Sequence, residues 1–208
     1  MTQLRYTLVA DGSSDRTLIP IINWLFDRAD ILYQPQFAVG LPPASDGLKL
    51  RVNTAVKLFP CDLLFVHRDA EKISFRERVS EIQEQLKDIN KNFLPIVPVR
   101  MTEAWLLSSE AAIRMAAGNP NGTIPLDLPP CREWENKPNP KEILFKALRD
   151  ASNLQGRRLR GFSEEKARHR VSELTEDFAH LEHLEAFARL RDDVDAFINK
   201  WKQRPICD

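Results

Sequence analysis

The sequence predicts an α/β protein with a doubly wound, mostly parallel four-stranded sheet, helices on both of its faces and a C-terminal helical extension. Two patterns lead to this prediction. Short β-rich runs alternate with helix-period segments through residues 1–117, and only helix-period segments follow residue 140. The length of 208 residues and the hydrophobic content of 43% are those of a chain with one compact core.

The first predicted strand and helix lie on either side of a break at Asp11-Gly12. Residues 6–10 form an apolar strand, and apolar side chains at i, i+3, i+4 and i+7 over residues 18–25 mark one face of a helix. We expect Ser13 or Ser14 to cap this helix. Pro20 cannot donate a backbone hydrogen bond, so it predicts a kink or a later start.

Three further strands and two further helices follow. Residues 36–39 are a weak second strand, and apolar spacing over residues 52–59 predicts the second helix. Residues 62–67 form a continuous apolar run, which is typical of a strand covered on both faces. Residues 75–89 are a long third helix. Residues 93–99 are a fourth strand, and two prolines within it predict an edge position.

The second half of the chain is predicted to be helical. Thr102 caps a fourth helix that ends near Gly118, and residues 118–140 hold six of the fourteen prolines. This Pro-rich loop connects an α/β domain (residues 1–117) to a helical extension (residues 141–208) that packs on it. The extension contains three helical segments, over residues 141–152, 163–180 and 182–202.

The last helical segment carries an apolar seam at alternating spacings of three and four residues, made by Phe187, Leu190, Val194, Phe197 and Trp201. Such a seam packs either on the sheet or on another chain. The C-terminal helices are therefore a candidate interface for a homo-oligomer.

Charge and cysteine content exclude several classes of protein. Thirty basic and thirty acidic residues give no net charge, so any nucleic-acid binding must be local. No apolar run approaches the ~20 residues that span a bilayer, which predicts no membrane partner. Cys61, Cys131 and Cys207 lie far apart, and no signal-like stretch follows Met1. We therefore expect a cytoplasmic protein.

Acidic side chains follow three of the predicted strands. Asp11 follows the first strand, Asp69 and Glu71 the third, and Glu103 the fourth. Because the carboxyl ends of parallel strands meet at one edge of a sheet, we expect these carboxylates to converge. Clustered negative charges raise one another's pKa unless a cation is present. Mg²⁺ (or Mn²⁺) is the expected occupant, since it takes one or two carboxylates together with water and phosphate oxygens.

These acidic residues lie in three stretches that resemble a bacterial Toprim-like family of unknown function: residues 8–15 (LVADGSSD), 64–71 (LFVHRDAE) and 102–107 (TEAWLL). Toprim domains occur in topoisomerases, primases and several nucleases, with a Glu-Gly pair after the first strand and Asp-x-Asp after a later one. This sequence has Asp11 in place of the glutamate and Glu71 in place of the second aspartate. The resemblance implies that Asp69 and Glu71 bind Mg²⁺ and that Asp11 transfers a proton.

Glu103 joins Asp11 as a candidate catalytic residue, and Asp11 is also a candidate metal ligand. Two of these residues have structural alternatives. Asp11-Gly12 is typical of a simple turn, and a carboxylate such as Glu103 is favoured in the first turn of a helix.

One dense basic segment is a candidate nucleic-acid contact. Six basic and two acidic residues give a charge of +4 between residues 157 and 170, and arginines at such density bind phosphates. The alternative is a solvated face paired with acidic helices. The candidate phosphate ligands are Arg157, Arg158, Arg160, Arg168 and Arg170.

Three functions compete at this level. The first is a Mg²⁺-dependent phosphoryl-transfer enzyme, specifically a nuclease in nucleic-acid processing or phage defence. The second is a non-catalytic Toprim-like interaction module that assembles through its C-terminal helices. The third is a phosphoacceptor domain, since Asp69 follows the third strand as in receiver proteins. The acidic pair and the lysine that receivers also need are not evident.

Overall fold

The structure is a computed structural model that describes residues 3–204. Its centre is a four-stranded sheet in the order β2-β1-β3-β4, with all neighbouring strands parallel. The predicted α/β class and parallel sheet are therefore confirmed. The strands are β1 (Leu4–Val9), β2 (Tyr33–Phe37), β3 (Leu63–His67) and β4 (Phe93–Ile96).

Helices cover the connections between strands and the second half of the chain. Short 3-10 segments lie between them, at Ser13–Thr17, Ala44–Asp46, Thr102–Ser108, Cys131–Asn136 and Ala179–His183. The α-helices within the described residues are α1 (Leu18–Asp27), α2 (Leu48–Leu58), α3 (Phe75–Leu86), α4 (Glu110–Ala116), α5 (Pro140–Ser152), α6 (Gly156–Arg160), α7 (Glu164–Leu174) and α8 (Glu185–Lys202).

Two predicted helix starts need correction. Neither Ser13 nor Ser14 caps α1; both lie in the 3-10 segment, and α1 begins after them. Pro20 then falls in the first turn of α1, where no backbone N–H donor is required, which confirms the later start. Thr102 does not cap a long fourth helix. It begins a 3-10 segment, and the Ser109 side chain caps α4 by accepting from the Ala112 amide.

The sheet order places a topological switch point at its centre. The chain runs from β1 outward to β2, and then crosses back over β1 to β3 and β4. Crossovers between parallel strands are nearly always right-handed, and with this strand order such crossovers put α1 on one face and α2 and α3 on the other. Contacts of α2 with α3 and of α1 with α7 agree with this arrangement. All five residues of β3 are buried, as its apolar run predicts.

The helical extension shares one hydrophobic core with the sheet. Trp24 of α1 contacts Phe178 and Phe187, and the Trp105 ring meets Phe187 edge to face at a centroid distance of 5.4 Å. Leu190 and Val194 of the apolar seam are also buried within the chain. The seam is therefore used in intramolecular packing, and the homo-oligomer stays a prediction that this surface does not support.

The Pro-rich loop contains a 3-10 segment whose Trp134 is buried and donates to the Pro129 carbonyl at 2.8 Å. Cys61 and Cys131 are free thiols, and Cys207 lies outside the described residues. Between residues 3 and 204, the structure holds no helix long and apolar enough to cross a bilayer.

Candidate functional site

A polar pocket of about 250 Å³ lies at the carboxyl ends of β1 and β3. These two strands are neighbours, and the direction of strand order reverses between them, which is where ligands bind in open α/β sheets. The pocket is lined by Asp11, Gly12, Ser14, Asp15, His67, Arg68, Asp69, Glu71 and Arg78. Three of the four predicted strand-end carboxylates, Asp11, Asp69 and Glu71, therefore converge.

Asp11 lies at the exposed side of the pocket between two arginines. Its carboxylate oxygens are 3.6 Å from Arg68 Nε and 4.0 Å from Arg51 Nε. The Arg51 side chain is buried and also donates to the carbonyls of Ala10 and Pro42. Because two hydrogen bonds hold its guanidinium, Arg51 ties the turn that carries Asp11 to the loop before α2, while its Nε forms no hydrogen bond within residues 3–204.

Asp15 organises the turn that follows β1. One of its oxygens accepts from the Gly12 amide at 3.0 Å, and the other accepts from the Ser14 hydroxyl at 3.1 Å. The side chain is only 15% exposed. Asp15 therefore adds a fourth carboxylate to the pocket.

Asp69 and Glu71 approach the pocket from the loop after β3. Burial raises the pKa of Asp69 to about 6; the neighbouring His67 opposes this rise, while Asp15, Glu103 and Glu71 add to it. Its Oδ1 atom is buried and has no hydrogen-bond partner among the described residues. Glu71 is exposed, and its backbone has a left-handed φ of 55°. A non-glycine residue in this region is strained, and such strain is commonly found at functional sites.

His67 is the last residue of β3 and closes the floor of the pocket. Its side chain is 2% exposed, and its Nδ1 is 3.1 Å from the Ile96 carbonyl oxygen. Its Nε2 faces three groups: the Thr102 hydroxyl at 3.4 Å, Asp69 Oδ1 at 3.7 Å and Asp15 Oδ2 at 3.8 Å. A buried imidazole thus stands between two carboxylates.

Glu103 does not belong to the open pocket, contrary to its predicted catalytic role. It is buried, and its Oε1 accepts from Arg168 Nη1 at 2.5 Å. Arg168 is also buried and pairs with Glu165 at 2.7 Å. The carboxylate of Glu103 is used in this ion pair, through which it ties the 3-10 segment Thr102–Ser108 to α7.

One arginine of the basic segment is buried in the protein, and the other four candidate phosphate ligands are exposed. Arg168 is wrong as a phosphate ligand, because its guanidinium is used inside the protein. The other four arginines are exposed, and none of them forms an ion pair with a carboxylate within residues 3–204. Helix α7 also packs against the 3-10 segment Ser13–Thr17 beside the pocket. The exposed arginines are Arg157, Arg158, Arg160 and Arg170.

The pocket partly fits a divalent cation. Among the described residues, no three His, Cys, Asp or Glu side chains are already arranged around one point as ligands. Mg²⁺ does not need such a protein cage, since it usually takes one or two carboxylates and completes its shell with water and phosphate. Two carboxylates of the pocket meet this requirement. Asp69 has a buried oxygen without a hydrogen-bond partner in residues 3–204, and Glu71 forms no hydrogen bond or ion pair with these residues.

Sequence reasoning missed several residues of the pocket. His67 carries a readable signal, since it is a polar residue at the end of an otherwise apolar strand. Arg51 also carries a signal, because it interrupts the apolar face of α2. The structure shows that this arginine is buried. Arg68 and Arg78 show no such signal, because surface arginines are common and only the fold brings these two to the pocket.

The fold and the pocket together define a class: an α/β protein with a parallel sheet and an acidic, arginine-bordered pocket at its switch point. We compared the chain with protein-family models, with curated proteins and with solved structures, and none of them matches it. The Toprim-like resemblance therefore stays a prediction based on the three motifs.

Proposed function

We propose that this protein is a phosphoryl-transfer enzyme of the Toprim-like type that depends on Mg²⁺ or Mn²⁺, and that it acts as a nuclease. One observation carries the proposal. The buried, unpartnered oxygen of Asp69 faces an acidic pocket at the switch point of a parallel sheet. A carboxylate in this state lacks the compensation that buried polar atoms normally have, and a cation would supply it.

The residues of the pocket have separable roles in this proposal. Asp69 and Glu71 hold the cation, which when bound supplies Lewis-acid polarisation of a phosphodiester. Asp11, on the exposed side of the pocket, accepts the proton of the attacking water, and Arg51 and Arg68 keep its carboxylate in place. Arg68 and Arg78 border the same pocket, where guanidinium groups stabilise charge on phosphate oxygens.

The charge of the whole chain is compatible with a local nucleic-acid site. With no net charge, the protein has no general attraction for polyanions. The exposed arginines of α6 and α7 form the densest basic surface, and α7 packs beside the pocket. These arginines would hold the nucleic-acid backbone while the acidic pocket performs the chemistry.

A cleavage assay tests the proposal. The full chain is incubated with single-stranded DNA, double-stranded DNA and RNA in Mg²⁺, in Mn²⁺ and in chelator. We expect cleavage of at least one substrate with either metal ion and none in chelator. Asp69→Asn removes a charged ligand and should lower the rate by at least ~100-fold.

Asp46→Asn is the matched control, because Asp46 lies exposed in a 3-10 segment between β2 and α2 and does not line the pocket. This variant should cleave at the rate of the unmodified protein. Calorimetric titration with Mg²⁺ and Mn²⁺ provides the second measurement. If unmodified and Asp69→Asn proteins give equal, featureless traces and no substrate is cut, the proposed function is wrong.

A further inference from the structure

An exposed arginine lies over a phenylalanine ring at the carboxyl edge of the sheet, beside the pocket. Arg16 belongs to the 3-10 segment after β1, shortly beyond Ser14 of the pocket lining, and its guanidinium carbon is 4.8 Å from the centre of the Phe37 ring. Phe37 ends β2 and pairs with Leu8 in the register of β1. Because neighbouring strands are about 4.8 Å apart, the Arg16–Phe37 pair lies next to the pocket.

The charge of Arg16 has no carboxylate partner within residues 3–204. Its side chain is exposed and forms neither a hydrogen bond nor an ion pair with the described residues. An exposed guanidinium that lies over a ring and has no anion beside it is available to a ligand. Three other cations that lie over aromatic rings do have a carboxylate partner: Arg28 with Glu182, Arg76 with Glu185 and Lys141 with Glu165.

Helix α7 and the end of β2 add two further groups beside Arg16. The 3-10 segment that carries Arg16 contacts α7. Burial lowers the pKa of His169 on this helix, and the positive charges of Arg168 and Arg16 lower it further, although nearby glutamates oppose this. The half-buried imidazole is therefore mainly neutral at pH 7. Val39, which follows Phe37 closely in sequence, adds an apolar side chain that is 53% exposed.

We propose that the Arg16–Phe37 pair is a stacking platform for an unpaired nucleobase, and that the substrate is therefore a single-stranded nucleic acid. This inference rests on the proposed function, because the platform would hold a nucleotide beside the phosphodiester in the acidic pocket. Bases of single strands commonly stack on aromatic rings and on guanidinium groups. A base inside a duplex cannot do so, since it must first be taken out of its stack. The exposed arginines of α6 and α7 would contact phosphates further along the strand.

Binding of labelled oligonucleotides tests the platform without cleavage. The full chain is titrated in chelator with single-stranded DNA, single-stranded RNA and a DNA duplex, and fluorescence anisotropy is recorded. We expect at least one single strand to bind ~10-fold more tightly than the duplex. A strand of abasic nucleotides keeps the phosphates and should bind ~10-fold more weakly than the same strand with its bases. The DNA and RNA titrations show which sugar the site accepts.

Arg16→Lys separates stacking from charge, because it keeps the positive charge and removes the planar guanidinium. We expect it to weaken binding of the preferred single strand by ~5–100-fold and to leave binding of the abasic strand within about twofold.

Arg204→Lys is the matched control. Arg204 also lies over an aromatic ring, 4.4 Å from the centre of Trp201. It lines a different pocket together with Asp62 and Asn92, which directly precede β3 and β4 and therefore mark the opposite edge of the sheet. This variant should bind every oligonucleotide as the unmodified protein does.

The outcomes separate this inference from the proposed function. Equal binding of single strand and duplex, or no binding of either, overturns the platform. An Arg16→Lys protein that binds the preferred strand as tightly as the unmodified protein overturns it as well. The abasic comparison uses only the unmodified protein, so it decides the role of the bases even if a variant fails to fold.

The cleavage assay with Mg²⁺ and Mn²⁺ reports on the proposed function independently of these titrations. Cleavage of duplex alone contradicts the platform and supports the nuclease. Base-dependent binding of single strands without cleavage of any substrate supports the platform and contradicts the nuclease.

Discussion

At the scale of single residues, two buried arginines lie beside acidic side chains in and near the pocket. Arg51 holds the turn after β1, and Arg168 neutralises Glu103 beside the pocket. Each arginine comes from a helix distant in sequence; Arg168 holds Glu103 by a hydrogen-bonded ion pair, and Arg51 lies 4.0 Å from Asp11. The remaining carboxylates of the pocket are less fully compensated, which is the condition under which they can bind a cation.

The Glu103–Arg168 pair is predicted to act in stability and not in catalysis. Arg168→Met leaves Glu103 buried without a partner and should lower the free energy of unfolding by about 3–5 kcal/mol. Adding Glu103→Gln removes the buried charge and should recover part of this loss, giving a clear coupling energy in urea unfolding. A folded Glu103→Gln protein of normal stability that has lost all cleavage activity would contradict this assignment.

Glu135, in the 3-10 segment Cys131–Asn136, is predicted to make stability depend on pH. Burial raises its pKa to about 7, and the negative charge of Glu185 adds to the rise. The Trp105 indole opposes the rise, although its Nε1 does not reach hydrogen-bonding geometry. The folded protein therefore holds this proton more tightly than the unfolded chain. The stabilising effect is complete below about pH 4.5 and is lost as the pH rises to about 7.

Glu135→Gln removes the cost of ionising this side chain. After allowance for its partial exposure to solvent, the variant should be more stable than the unmodified protein by about 1–2 kcal/mol at pH 8, and equally stable at pH 4.5. Glu133→Gln is the control in the same segment, because Glu133 is half-buried and already paired with Lys137. Urea unfolding at both pH values measures the difference. A gain of the same size at both pH values would exclude ionisation as its cause.

At the scale of secondary structure, α8 shows how one amphipathic helix serves the core. Its buried residues face the sheet and the aromatic side chains of α1 and the 3-10 segment Thr102–Ser108, while its opposite face carries charge. Periodicity identified Phe187, Leu190 and Val194 of the buried face, whereas Phe197 and Trp201 are only half-buried. It could not decide whether the partner would be the same chain or another one, since both bury the same apolar stripe.

Leu190→Ala is predicted to destabilise the monomer itself. Leu190 is 2% exposed, so its truncation leaves a cavity and should cost about 2–5 kcal/mol in chemical unfolding. Asn199→Ala, on the exposed face of the same helix, should change stability little. Light scattering should give the mass of a monomer for all three proteins. A dimer that dissociates in Leu190→Ala would instead support assembly through α8.

At the scale of the whole molecule, the Pro-rich loop does not separate two independent folding units. Helix α7 packs against α1, α4, α5 and the 3-10 segment beside the pocket, and the hydrophobic core is continuous from the sheet into the extension. Residues 118–140 thus differ from the rest of the chain in their proline content, but the hydrophobic core continues from one side of them to the other.

A fragment of residues 1–140 is therefore predicted not to fold cooperatively. It would expose Trp24 and Trp105, and it would leave Glu103 without Arg168. We expect secondary structure in far-ultraviolet circular dichroism, a weak near-ultraviolet signal and no sharp thermal transition. A sharp transition with a strong near-ultraviolet signal would show that the α/β part folds alone.

Much of the fold could be predicted because secondary structure follows from local patterns. The apolar run before His67, the spacing in α3 and the glycine after α4 are each readable within about a dozen residues. Bounds shifted by a few residues where two local preferences compete, as at Ser109 and Pro20. The site was predictable to the extent that carboxylates follow strands, which brought Asp11 and Asp69 together.

The sequence by itself therefore determined the α/β class, the parallel sheet and the edge at which acidic side chains gather. Only the tertiary structure decided which of those side chains are neutralised by an arginine and which are not. Arg168 reaches Glu103 across 65 positions and Arg51 reaches the Ala10 carbonyl across 41, while His67 Nδ1 contacts a carbonyl 29 positions away, on β4. Local periodicity carries no information on such partners, because a charge acts on whatever lies within a few ångströms of it.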